Sequence, residues 1–145
     1  CAQGGRAGDL ANWRVAKSVF VADDMDTARA YVSRPDSPYR YYYQSLLTKL
    51  KKNGRSNLFK EDQSMSDDEV TLEYVMDRLV TFGTPDKVAD ELLAFRELTG
   101  QFGTLLYAGH DWADPALARR SKILMAEKVL PLVNEAEKGR MEAAI

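Results

Sequence analysis

Near the end of the chain, Gly109-His110-Asp111-Trp112 sets an imidazole, a carboxylate and an indole at consecutive positions. An imidazole titrates close to neutral pH, so His110 could hydrogen-bond a cofactor or shuttle a proton while Asp111 orients it. The indole of Trp112 could wall a flat aromatic ligand. A structural role is the alternative: His110 satisfies loop carbonyls, Asp111 solvates a turn, and Trp112 staples a following helix. No partner base or nucleophile accompanies them, so His110 and Asp111 stand as rim candidates and the catalytic residues stay unassigned.

Other groups carry weaker signals. Tyr39, Tyr41, Tyr42 and Tyr43 could line an apolar pocket, although aromatic residues at helical spacing more often pack a core. Gly83-Thr84-Pro85-Asp86 presents free backbone N–H groups at a helix start, which is physically an anion site. Asp86 already sits at that positive end, so ordinary capping accounts for it. Asp67-Asp68-Glu69 resembles a metal cluster, yet an acidic first turn of a helix explains it fully.

Elements must position these residues. Trp13 to Ala22 is rich in β-branched and aromatic residues and reads as a strand ending at Asp23-Asp24, where Asp24 or Asp26 can cap a helix bearing Ala28, Tyr31 and Val32. Pro35 and Pro38 break that helix, and a second, tyrosine-rich one starts near Pro38 and dissolves at Lys51-Lys52-Asn53-Gly54. From Arg55 to Met65 the pattern suits a surface loop. Ser66 with Glu69 reads as a capping box before Val70, Tyr74 and Val75, and Leu79 to Phe82 as a short strand. Thr84 and Pro85 open a helix with Val88, Leu92, Phe95 and Leu98 on its apolar face, and Gly100 closes it. A strand from Phe102 to about Gly109 follows, of the kind covered on both faces and paired on both edges. The last helix opens at Asp114-Pro115, runs through Leu117, Leu124, Met125 and Val129, and frays from Glu135 onward. This order implies parallel strands with right-handed crossovers. Ligands collect at the carboxyl ends of such strands, so Ala22-Asp23-Asp24 and Gly109 to Trp112 are expected on one rim.

At 145 residues and 45% hydrophobic content the chain suits one core-forming domain. A net charge of -2 gives no field to gather nucleic acid or anionic lipid. No apolar run approaches a membrane span and the start lacks a signal-peptide layout, so a cytoplasmic protein is expected. One cysteine excludes an internal disulfide framework, and one histidine without clustered thiols argues against an N/S zinc site. No metal is assigned. The opening Cys1 to Gly8 has no periodicity and reads as the cropped end of a longer polypeptide.

Taken in order, three sets of residues resemble the bacterial luciferase-like family of flavin-dependent monooxygenases, in the C-terminal portion of its alkanal and limonene monooxygenase-like members. They are Trp13-Arg14-Val15 with Val19 to Asp23 and Ala28, Phe82 to Val88, and Thr99 to Gly103 with Gly109 to Asp114; Ser121, Leu124 and Val129-Leu130-Pro131 close the pattern. The resemblance covers about residues 12–134, and 33–65, an insert or loop holding the tyrosine-rich helix, matches least. It implies an α/β fold: a C-terminal fragment of a TIM (β/α)8 barrel, in which Trp13 to Ala22 is about the seventh strand and Phe102 to Gly109 the eighth. It also implies reduced FMN at the rim, supplied by a separate flavin reductase, and O2 used to oxygenate a small, apolar organic substrate in a homo-oligomeric enzyme.

By the same resemblance Phe20 and Val21 would wall the flavin ring, with His110 and Trp112 at the rim. The family's phosphate contacts and catalytic histidine region come from earlier strands, which nothing here matches, so the fragment alone is expected to be inactive. Two alternatives stand beside this reading. One is a flavin or deazaflavin (F420) reductase of the same fold, and the other a non-catalytic α/β interaction module.

Overall fold

The computed structural model describes residues 2–5, 7–100, 102–110 and 112–143. Three parallel strands, β1 (Arg14–Val21), β2 (Val80–Gly83) and β3 (Thr104–Ala108), form one sheet in the order β2-β1-β3. Two stretches of helix separate them: α1 (Met25–Ser33), α2 (Pro38–Lys52) and α3 (Leu72–Leu79) between β1 and β2, and α4 (Pro85–Thr99) between β2 and β3. After β3, α5 (Pro115–Leu124) passes through a π turn at Met125–Val129 into α6 (Leu130–Ala143). Among the described residues, no helix is long and apolar enough to cross a membrane.

Side chains alternate across β1 and so divide the core in two. Phe20 and Ala22 pack with Ala28, Tyr31, Tyr39, Tyr43 and Val75 of α1–α3. Val19 and Val21 pack with Val88, Ala89 and Leu92 of α4 and with Leu124 and Val129 beyond β3. Helices thus flank both faces of this small parallel sheet, α1–α3 on one and α4 with the segment beyond β3 on the other. β1 and β3, the two full strands expected from sequence, pair in parallel.

The pairing is staggered. β3 runs beside the first half of β1, from Arg14↔Thr104 to Ser18↔Ala108, and β2 beside the second, from Ser18↔Val80 to Val21↔Gly83. Past Ser18, β3 no longer meets β1, and side-chain hydroxyls take over the orphaned backbone groups. Tyr39 OH donates to the Val19 carbonyl at 2.7 Å, and Val21 N–H donates to Ser121 Oγ at 2.8 Å. Backbone groups buried there would otherwise lack partners.

Caps account for most helix starts. Asp24 accepts from Thr27 N–H, Ser37 from Tyr39 N–H, and Asp114 from Ala116 and Leu117 N–H. Four expectations shift. Ser66 and Glu69 do bond, at 2.8 Å, but in a turn ahead of the helix, which Thr71 caps by accepting from Tyr74 N–H. Ala89 rather than Leu98 completes the buried face of α4, because Leu98, near the end of the helix, is 86% exposed. β3 is shorter than Phe102 to Gly109 and only partly covered, with Leu106 48% exposed. The final helix continues to Ala143 rather than fraying; its π turn, whose closing bond runs from Leu130 N–H to the Met125 carbonyl, lies just ahead of Pro131, a residue without an N–H to give.

Candidate functional site

The carboxyl end of β3 meets the middle of β1 under α2. Ser18 is the hinge of the staggered sheet, paired with Val80 on one side and Ala108 on the other, so the residue two beyond Ala108 rises beside the unpaired end of β1. That residue is His110. Tyr39, Tyr42 and Tyr43 lie three and four positions apart on α2, and this spacing brings all three to the imidazole or its support.

His110 is gripped at backbone and ring. Tyr31 OH donates to its carbonyl at 3.0 Å, and its N–H points to Tyr39 OH at 3.5 Å. Its Nε2 lies 3.4 Å from Ser18 Oγ, which itself accepts from Tyr43 OH at 2.9 Å. Tyr42 stacks on the imidazole with centroids 4.7 Å apart, Tyr39 meets it edge-on at 4.6 Å, and Trp112 edge-on at 5.7 Å. Burial pushes the phenols of Tyr39 and Tyr43 up from their ordinary range, so both stay neutral donors at working pH.

Two hollows flank this cluster. One of about 370 Å³ opens on the sheet face and is lined by Ala16, Ser18, Tyr42, Tyr43, Ala108 and His110 among others. The other, about 650 Å³, runs along the outer side of α2 past Arg40, Tyr41, Gln44 and Trp112. Tyr41, Tyr42 and Trp112 are 70%, 43% and 58% exposed, so flat aromatic surface is available to a ligand. Chemically the site can stack a planar ring and present hydrogen bonds from a fixed imidazole.

Other residues singled out from sequence are occupied elsewhere. Phe20 is stacked on Tyr31 at 4.2 Å and 11°, and Val21 is fully buried against the opposite helices; core packing leaves neither a face for a ligand. Asp23 and Asp24 do lie at the end of β1. Asp23 accepts from both Arg120 Nε and the Arg120 NH2 group, which holds its carboxyl below the usual range, and Asp24 is lowered by the Thr27 N–H it caps. Asp111 lies outside the described residues. The turn after β2 is architecture: a Cβ on Gly83, at φ +153°, would lie 2.8 Å from Lys87 Cδ and 3.0 Å from Met25 Sδ. Among the described residues, no cluster of His, Cys, Asp and Glu is placed to hold a metal ion. Ser18 belongs to the site's scaffold without having been singled out, and Tyr31 and Ser121, read from sequence only as a helix face and as part of the resemblance, join it. The available signal was a hydroxyl in an apolar run, as in Lys17-Ser18-Val19.

No family model matches the chain. It is 35% identical over 134 residues to 4-hydroxyprotoasukamycin monooxygenase of Streptomyces nodosus subsp. asukaensis, covering 92% of this chain and 33% of that protein. It is 28% identical to 3,6-diketocamphane 1,6-monooxygenase of Pseudomonas putida, covering 90% of this chain and 35% of that one. Its fold is similar, with a TM-score of 0.72 and 28% identity, to the oxygenating constituent of 3,6-diketocamphane monooxygenase from the CAM plasmid of Pseudomonas putida, a type II Baeyer-Villiger monooxygenase solved in complex with FMN. That overlap covers 91% of this chain and 36% of the solved one. The chain spans about a third of the length of the relatives it matches. Its homologues are luciferase-like flavin monooxygenases of the type II Baeyer-Villiger and limonene monooxygenase kind, and the match falls in their C-terminal portion.

Proposed function

We propose that this relative of the luciferase-like flavin monooxygenases is the C-terminal third of an FMN-dependent enzyme that oxygenates a small, apolar organic substrate with O2. The observation that carries the reading is the match to monooxygenases along 92% of the chain at 35% identity. FMN in the related solved structure favours that cofactor over F420. The rest of the reading follows the family: a separate reductase delivers reduced flavin, and the enzyme is a cytoplasmic homo-oligomer.

The residues present fit part of FMN. Its ring system needs flat, apolar walls, and the exposed aromatic surfaces of Tyr42 and Trp112 beside His110 offer them. Its phosphate needs an anchor. The cations beside this rim, Arg120 and Arg40, are engaged by Asp23 and Glu73, so the anchor is assigned to the part of the enzyme outside this chain. When bound, reduced FMN supplies the electrons that activate O2. The chain's own contributions are positional: Tyr42 and Trp112 wall the ring, His110 holds a hydrogen bond at a fixed point, and α2 keeps water from the ends of β1 and β3.

The barrel belongs to this proposal too. On the α1–α3 side only the carboxyl half of the sheet is covered. Ala16 and Leu106, paired in register on the other half, are exposed, and this is the surface that further barrel strands would line. Titrating the polypeptide that contains this chain with FMN tests the reading. Saturable binding of FMN, with O2 consumed once reduced flavin is supplied, is expected; a polypeptide that binds no FMN sinks it.

A further inference from the structure

The hydroxyl chain behind His110 has a direction. Tyr43 OH donates to Ser18 Oγ at 2.9 Å, and burial keeps that phenol protonated. Ser18 is 6% exposed, and its Oγ meets two polar partners, Tyr43 OH and His110 Nε2 at 3.4 Å. A hydroxyl that has accepted from one neighbour still carries its own hydrogen, and the acceptor left for it is the ring nitrogen. A neutral imidazole has one nitrogen that accepts and one that donates. Were Nε2 the donor, Ser18 would receive two hydrogens and its own would be left in a buried place without a partner, which costs free energy.

We propose that Ser18 and Tyr43 are positioning residues whose relay fixes neutral His110 as the Nδ1–H tautomer, with Nε2 held as the acceptor. The surrounding grip keeps the ring from escaping this choice. Tyr31 and Tyr39 hold the backbone of His110, and Tyr42 lies across the imidazole face at 4.7 Å. The hydrogen of neutral His110 therefore sits on Nδ1, an oriented, uncharged donor, while Nε2 stays the acceptor toward Ser18. Only the purpose of this donor rests on the flavin reading; the relay rests on the geometry.

His110 is the one histidine of the chain, so long-range proton–nitrogen NMR correlations of the imidazole report on it alone. At a pH where the ring is neutral, the chain is expected to show a protonated Nδ1 and an unprotonated Nε2. Ser18→Ala is expected to shift the balance toward the Nε2–H form, and Tyr43→Phe, which keeps the ring volume, to shift it the same way by less. A protonated Nε2 in the unsubstituted chain, or a tautomer unchanged by Ser18→Ala, overturns the proposal. FMN binding reads out the functional proposal separately, so each can fail while the other stands.

Discussion

Tyr39 replaces a missing strand. Its hydroxyl donates to the Val19 carbonyl, which β3 is too short to reach, and also receives the His110 N–H. Tyr39→Phe keeps the ring contacts with Phe20 and His110 and removes only the oxygen. A buried carbonyl left without a donor costs about 1–3 kcal/mol, so the unfolding free energy from urea titration is expected to drop by that amount. The same residue sets an alkaline limit. Its phenol is raised by burial in the folded state, whereas in the unfolded chain it ionises near about pH 10. Below that pH its contribution is fully present. Above it the unfolded state loses the proton first, so stability is expected to fall with rising pH, and less steeply in Tyr39→Phe. Sequence marked the tyrosines as packing, which holds for Tyr39 and Tyr43, whereas Tyr41 and Tyr42 stay exposed. It carried no sign that one of them would stand in for a backbone partner, because that need arises only from the stagger of β1 against β3.

At the scale of elements, β3 is fixed at its start as much as at its end. Gly103 N–H donates to the Leu10 carbonyl at 3.1 Å, and a Cβ there would lie 1.6 Å from the Ala11 carbonyl oxygen. Gly103→Ala is therefore expected to cost roughly 1–3 kcal/mol as an overpacked site and to lose hydrogen-exchange protection at residue 103. Unchanged stability and protection would mean that the Leu10–Asn12 turn does not seat the strand. Helix starts were legible at Asp24, near Pro38 and at Asp114, because each pairs an oxygen-bearing cap or a proline with an apolar stripe. The Ser66–Glu69 pair misled: its bond forms as expected, but in a turn that tertiary packing of the fully buried Val70 separates from the helix. Strand order was not legible, since periodicity says which segments are strands and not which side of β1 each will take.

The whole molecule leaves surface that parallel sheets normally cover. Among the described residues, the outer edges of β2 and β3 carry no strand, and Trp13 and Leu106 are each 48% exposed. Parallel sheets are ordinarily buried and open edges invite pairing, so the isolated chain is expected to self-associate or lose fixed packing in sedimentation and near-ultraviolet dichroism. A compact, stable monomer would count against its being a third of a barrel. The candidate site follows the same division. His110 and Trp112 were legible as strand-end residues and do meet under α2, whereas Phe20 and Val21 proved to be core, because the helices on both faces of β1 enclose them. The most direct test of the flavin-oxygenase reading is to supply the polypeptide containing this chain with reduced FMN, an apolar ketone or alkene, and isotopically heavy O2. One heavy oxygen atom in the organic product, dependent on FMN, is the expected result; FMN bound with no transfer of oxygen, or no FMN bound at all, would contradict it.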